Sequence, residues 1–277
     1  MLSLWPIGTK PVIGMVHLLP LPGSPRYGGS FDQVRKQAIA DAEALAAGGV
    51  HGLMLENFGD VPFFPGRVPA HVVACMTDLA AEIRRRCPIP LGINVLRNDG
   101  LSALAVALAA DASFIRVNVL CGARVTDQGA IEGIAHDLQR LRSQLDAGDI
   151  RVLADVDVKH SSPLGQPRAI EDEAIETLGR GLADGLIVSG AGTGRPTDIT
   201  QVKKIKHAMV TGQAGPGHAG AAEAAPIFVG SGVDARTVGH FLAVADGVIV
   251  GTALKRDGIA TNPVDVERVK QLMAAAR

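Results

Sequence analysis

The chain has few aromatic residues: of 277 positions, one is tryptophan, one tyrosine and seven phenylalanine. That scarcity disfavours the stacked aromatic platform on which single-stranded nucleic acids are bound. An excess of one charge is missing too, since 27 basic and 28 acidic residues leave a formal net charge of −1. The Lys/Arg block that stands out, Arg84-Arg85-Arg86, falls at the end of a predicted helix, where cations complement the helix dipole. No nucleic-acid partner is expected from this distribution. Three scattered cysteines (Cys75, Cys87 and Cys121) are too few for a disulfide framework and lack the CxxC spacing of a metal site. No apolar run reaches the ~20 residues of a membrane-spanning helix. The opening residues, broken by Pro6 and Gly8, do not read as a targeting peptide. A reducing, cytoplasmic compartment is the resulting expectation.

What the chain does have is small and apolar residues, with 33 glycines and 47% hydrophobic positions. They fall into a repeated unit of an apolar β-rich run, a polar loop and an Ala/Leu-rich amphipathic stretch. The predicted strands are Val12–Leu18, Gly52–Asn57, Leu91–Leu96, Phe114–Val119, Val152–Lys159, Gly185–Gly190, Ile227–Gly232 and Gly247–Thr252. The predicted helices are Asp32–Ala47, Ala70–Arg86, Gly100–Ala109, Gly129–Asp146, Ile170–Gly181, Asp198–Met209, Ala235–Val244 and Val264–Ala275. Eight alternations imply parallel strands with right-handed crossovers. The α/β architecture that fits this count is a single (β/α)₈ TIM barrel over residues 1–277, with an open doubly wound sheet as the alternative.

Helix punctuation agrees. Ser30-Phe31-Asp32-Gln33 reads as a capping box, and Asn262-Pro263 as an N-cap followed by a first-turn proline. Two long loops, Leu19–Ser30 and Phe58–Pro69, follow the first two strands and are placed at the C-terminal mouth, with Tyr27, Phe58 and Phe63 shielding a ligand. The Gly/Ala-rich stretch 211–226 reads as a flexible insertion without chemistry.

The fifth predicted strand carries the strongest chemical signal. Val152, Ala154, Val156 and Val158 form one apolar face; Leu153, Asp155, Asp157 and Lys159 form the other. Charges facing a barrel interior are costly unless paired, so this face is either a self-compensating ion network or a working site. Glu56, Asn94, Arg116 and Asn118 can share the inner face, and His17 ends the first strand. Glu56 with Asp155 or Asp157 would supply an acid and a base, because nearby like charges push pKa values apart. The same set, with His17 and His160, has the ligand types of a divalent-cation site, although no fixed ligand spacing supports one.

Glycine-rich turns follow three successive strands, at Ser189–Gly194, Gly230–Gly232 and Gly251-Thr252. Such turns let backbone N–H groups approach an anion, and barrels place phosphate sites after their last strands. Gly190, Gly192, Gly232 and Gly251 are therefore expected to hold a phosphate.

These segments resemble the BtpA/SgcQ family. The resemblance rests on His17-Leu18-Leu19-Pro20-Leu21-Pro22-Gly23-Ser24-Pro25 and on Glu56-Asn57-Phe58-Gly59-Asp60-Val61-Pro62-Phe63. The blocks Asn94–Asp99, Arg116–Asn118 and Asp155–His160 extend it to nearly the whole chain. It implies a barrel enzyme of undefined chemistry. One set of members is tied to photosystem I accumulation at the thylakoid surface; the other sits among sugar and nucleoside metabolism proteins.

The expected function is an enzyme acting on a phosphorylated sugar-like or nucleoside-like metabolite by carboxylate acid–base chemistry. Glu56 and Asp157 would exchange protons, Asn94 and Asn118 would orient the substrate, His17 would polarise an oxygen, and Asp155 and Lys159 would complete the site. Isomerisation, lyase chemistry and hydrolysis or transfer all remain open. Two alternatives stand beside it. One is a non-catalytic photosystem I assembly factor, for which the resemblance allows peripheral membrane association. The other is a metal-dependent phosphohydrolase using His17, Glu56, Asp155 and His160. A homo-oligomer is expected, as is common for barrels.

Overall fold

The computed structural model describes residues 4–158, 160–190, 197–211 and 225–276. Its core is a closed barrel of eight parallel strands. In chain order these are β1 (Val12–His17), β2 (Gly52–Glu56), β3 (Leu91–Asn94), β4 (Phe114–Val117), β7 (Arg151–Val156), β9 (Gly185–Val188), β10 (Ile227–Val229) and β11 (Gly247–Val250). Around the barrel they run β1-β11-β10-β9-β7-β4-β3-β2. Three short strands, β5 (Ala123–Thr126), β6 (Gly129–Glu132) and β8 (Ser161–Pro163), form a separate antiparallel sheet in the loops after β4 and β7.

The helices of the described residues are α1 (Phe31–Ala47), α2 (Ala70–Arg86), α3 (Gly100–Ala109), α4 (Ala135–Gln144), α5 (Ile170–Gly179), α6 (Ile199–Val210), α7 (Val238–Leu242) and α8 (Val266–Ala275). None of them is long and apolar enough to cross a membrane. The barrel expectation holds, and the open sheet is ruled out by the β1–β11 pairing that closes the ring.

Alternation along each strand builds two cores. Val12, Val16, Leu53, Leu55, Val152 and Ala154 pack outward against the helices. Ile13, Met15, Met54, Phe114, Leu153, Ile187, Phe228 and Ile249 fill the interior. The interior closes only because large residues face glycines. Phe114 pairs with Gly92, where an added Cβ would lie 2.1 Å from the ring, and Phe228 pairs with Gly247. Trp5 plugs the lower end, its ring centroid 6.1 Å from that of Phe114 and 6.2 Å from that of Phe228.

The barrel strands end before their predicted boundaries, because the residues beyond them turn into mouth loops. Ser30 caps α1 as expected, its hydroxyl accepting from the Gln33 N–H at 3.2 Å. Other expectations are corrected. The helix predicted over Gly129–Asp146 begins at Ala135; Gly129–Glu132 instead pairs with Ala123–Thr126 across a turn in which Gly129 has a φ of +92°. The last helix is capped by Asp265, not Asn262, whose amide donates to the Arg256 carbonyl. The expected insertion, 211–226, falls mostly outside the described residues.

Candidate active site

Period-two alternation carries polar side chains into the upper end of the interior. In register, His17 of β1 lies beside Glu56 of β2, Glu56 beside Asn94 of β3, and Asn94 beside Arg116 of β4. Glu56 and Asn94 are buried, and the Asn94 amide donates to Glu56 Oε2 at 2.6 Å. His17 Nε2 lies 3.8 Å from Glu56 Oε1. Its Nδ1 sits 3.1 Å from the Ala260 carbonyl; a carbonyl only accepts, so Nδ1 carries a proton and Nε2 is the nitrogen turned toward Glu56. The ring stacks on Phe58 with centroids 4.3 Å apart.

The loop that carries Ala260 is itself anchored. Lys255 is buried and its ammonium donates to Asp41 Oδ2 at 2.7 Å, while Asp41 Oδ1 accepts from the Val264 N–H at 2.8 Å. Both ends of the loop are thus tied to α1. Burial pulls the Lys255 pKa down, and the Asp41 carboxylate acts against that shift.

A second cluster is a salt bridge. Arg116 grips Asp155 with two bonds, Nε to Oδ1 at 3.0 Å and Nη2 to Oδ2 at 2.9 Å. The Asn118 amide adds a third at 2.6 Å. Burial opposes the Arg116 charge, but the Asp155 carboxylate outweighs it and raises the guanidinium pKa. The inward charge of Asp155 on the fifth predicted strand is therefore compensated by Arg116 of the fourth. Lys159 lies outside the described residues.

These strand ends open into a cavity of about 650 Å³ lined by His17, Glu56, Arg116 and Asn118. Gly232, with a φ of +70°, and Gly251 line it from the loops after β10 and β11. Phe58, Val61 and Phe63 contribute an apolar wall from the loop after β2. That loop is held in place by Asn57, whose Oδ1 accepts from the Leu96 N–H at 2.7 Å, and by Asp60, which accepts from the Leu21 N–H at 2.8 Å. Burial raises the Asp60 pKa against the hydrogen bonds that it accepts from the Leu21 N–H and the Asn57 amide.

Several expected members stand elsewhere. Asp157 does not share the pocket with Glu56. β7 ends at Val156, Asp157 takes a left-handed φ of +56°, and its half-exposed carboxylate meets Arg124 at 2.6 Å beside a second cavity of about 210 Å³. Alternation stops where the strand stops, which is why the inward reading fails at that residue. Tyr27 packs against the outer core rather than over the cavity. Gly190 is not among the lining residues, and Gly192 falls outside the described residues. His160 does line the cavity. As for a cation, no three His, Cys, Asp or Glu side chains converge among the described residues, and both Asp155 oxygens are engaged.

Arg97, Asp127, Asp234 and Arg268 also line the cavity and were not singled out from the sequence as site residues. They come from loops and from α8, where strand alternation says nothing. The available signal was the position of Arg97 within the Asn94–Asp99 block.

The comparisons agree with this architecture. A family model described as the BtpA family matches residues 8–277. A Thermococcus kodakarensis protein of uncharacterized function is 46% identical over 268 residues, covering 97% of this chain and 95% of its own. A Synechocystis protein named Photosystem I biogenesis protein BtpA is 46% identical over 266 residues, covering 96% and 88%. Among solved structures, N-(5'-phosphoribosyl)anthranilate isomerase from Pyrococcus furiosus superposes with a TM-score of 0.57 at 12% identity, over 97% of this chain and 98% of that one. KGPDC from Streptococcus mutans superposes at 0.56 and 11% identity, over 96% and 97%. At such identities the likeness is one of fold, a TIM barrel. Sequence motifs, family model and close relatives converge, and the chain belongs to the BtpA family.

Proposed function

We propose that the protein is a cytoplasmic enzyme that binds a phosphorylated sugar-like or nucleoside-like metabolite in the barrel mouth and moves a proton with Glu56. The observation that carries this reading is the placement of Glu56: buried, oriented by Asn94 at 2.6 Å, beside His17, and facing a cavity large enough for a small metabolite. Backbone at Gly232 and Gly251 lines the same cavity, and these two glycines take the phosphate through N–H groups. Glu56 serves as the acid–base group, Asn94 fixes its orientation, and His17 Nε2 accepts or relays the proton. Phe58 and Phe63 keep water from the reacting atoms. Isomerisation, elimination and transfer at an anomeric carbon all use such a group. The half-exposed Phe64 and neighbouring Val61 give the rim an apolar face on which a second copy packs.

A second reading draws on the relative named for photosystem I biogenesis: a non-catalytic assembly factor. A scaffold gains nothing from a buried carboxylate at the floor of an open cavity, so the enzyme reading is preferred. The test is a thermal-shift screen of phosphorylated metabolites beside their unphosphorylated counterparts. A binder present at a hundredfold excess over its dissociation constant stabilises the fold by about 2.7 kcal/mol. Phosphorylated compounds should raise the melting temperature of the wild type but not of Gly251→Val, whose side chain would crowd the His17 ring, 3.0 Å from a Cβ at that position. Equal responses to both compound sets would refute the phosphate site.

A further inference from the structure

We infer that Arg268 is the charged anchor of a terminal phosphate on the ligand: the two outer nitrogens of its guanidinium grip phosphate oxygens, and backbone at Gly232 and Gly251 takes the rest. This deepens the phosphate reading above and rests on it.

Arg268 is the third residue of α8, the helix that follows the loop after β11. Its half-buried side chain turns back over that loop, with Nε donating to the Ala253 carbonyl at 2.9 Å. A Cβ added at Gly258 would lie 3.5 Å from Nη2. Ala253, Gly258 and Arg268 all line the mouth cavity, so the guanidinium sits between two points of its wall. Gly251 begins the same loop, and Gly232 follows β10, the strand paired with β11. Both glycine turns and the guanidinium therefore stand on one side of the mouth.

A guanidinium has five N–H donors, and the bond to Ala253 uses the one on Nε while fixing the direction of the fork. The other four, on Nη1 and Nη2, have no hydrogen-bond or ion-pair partner among the described residues. The neighbouring carboxylates are committed elsewhere. Asp234, on the same cavity wall, accepts from the Arg236 guanidinium and from the N–H groups of Arg236 and Thr237. Asp265 caps α8, accepting from the Glu267 and Arg268 N–H groups, and Glu267 pairs with Lys270. Exposed Asp257 is not among the lining residues.

The place of Arg268 in its helix is the second observation. A cation in the first turn stands at the positive end of the helix dipole, where it works against the helix. Arg84, Arg85 and Arg86 close α2 at the end where cations are favoured. An anion between the fork and the glycine turns removes that conflict. A guanidinium fork binds two oxygens in parallel, which either a carboxylate or a phosphate offers. A carboxylate has no third oxygen for the glycine turns, whereas a phosphate monoester has three terminal oxygens and reaches both.

The test is isothermal titration of ribose 5-phosphate, ribose and inorganic phosphate into wild type, Arg268→Gln, Arg268→Lys and Arg256→Gln. Arg256 is exposed on the same loop and does not line the cavity, so its variant controls for a general loss of positive charge. Wild type should bind ribose 5-phosphate more tightly than ribose. Arg268→Gln should weaken ribose 5-phosphate and inorganic phosphate by at least about tenfold each, the order expected of a charged hydrogen-bonded contact. Arg268→Lys, which keeps the charge without the fork, should lose less, and Arg256→Gln should match wild type. Wild-type affinity in folded Arg268→Gln, or an equal loss in Arg256→Gln, would overturn the role of Arg268 and leave the phosphate site standing. Should Arg268→Gln not fold, Arg268→Lys decides, and unchanged affinity there overturns the two-nitrogen grip. If wild type binds neither ribose 5-phosphate nor inorganic phosphate, the phosphate reading falls and takes this inference with it.

Discussion

Asn94 on β3 donates its amide to Glu56 Oε2 on β2 at 2.6 Å, and both side chains are buried where the barrel opens into its mouth. The two strands are in register at these residues, so the contact is set by the sheet itself. Asn94→Ala removes a donor from a buried acceptor, and urea denaturation should register a loss of about 1–3 kcal/mol. A change well below that would mean that Glu56 does not depend on Asn94.

Asp155 and Asp157 are two residues apart and should behave differently. Asp155→Asn leaves the buried Arg116 guanidinium without its counterion, and breaking a buried pair in this way costs about 3–5 kcal/mol. Asp157 pairs with Arg124 at a half-exposed carboxylate, so Asp157→Asn should cost no more than about 1 kcal/mol. Parallel denaturation curves decide. Similar losses for the two variants would contradict the difference in burial.

A third prediction concerns acid. His51 sits beneath the barrel, and its Nδ1 accepts from the Val12 N–H at 3.1 Å, a bond that requires an unprotonated nitrogen. Burial lowers its pKa from the ordinary 6.5. Between the lowered folded value and 6.5 the unfolded chain binds more protons than the folded one. Stability is therefore complete above 6.5 and is lost as pH falls through the folded value. His51→Asn keeps an acceptor for Val12 and does not titrate. Unfolding free energies from pH 7 downward should fall less steeply in the variant, and identical slopes would remove His51 from the account.

The sequence-level expectations succeeded where side chains follow the strand period. Glu56, Asn94, Arg116, Asn118 and Asp155 face the interior because each lies an even number of steps from an inward residue of its own strand or the extension of it. Asp157 escaped that logic because β7 ends at Val156 and the next residue turns left-handed. The second strand of the β5–β6 hairpin was read as helix: Gly129–Glu132 adjoins a true amphipathic helix, and four residues are too short for either period to show. Arg97, Asp127 and Arg268 reach the cavity through loop and helix geometry, which no period encodes.

The central claim is that Glu56 moves a proton on a ligand bound in the mouth. Glu56→Gln preserves the shape and the capacity to accept the Asn94 amide while removing the ability to exchange a proton. The direct measurement is turnover of a phosphorylated metabolite identified as a binder, followed by mass spectrometry in deuterated buffer to record product and any solvent deuterium carried into carbon. Wild type should convert or exchange the ligand. Glu56→Gln should bind it with similar affinity and be slower by at least about a hundredfold, the low end of general acid–base contributions. Wild-type rates in Glu56→Gln, with binding intact, would contradict the account.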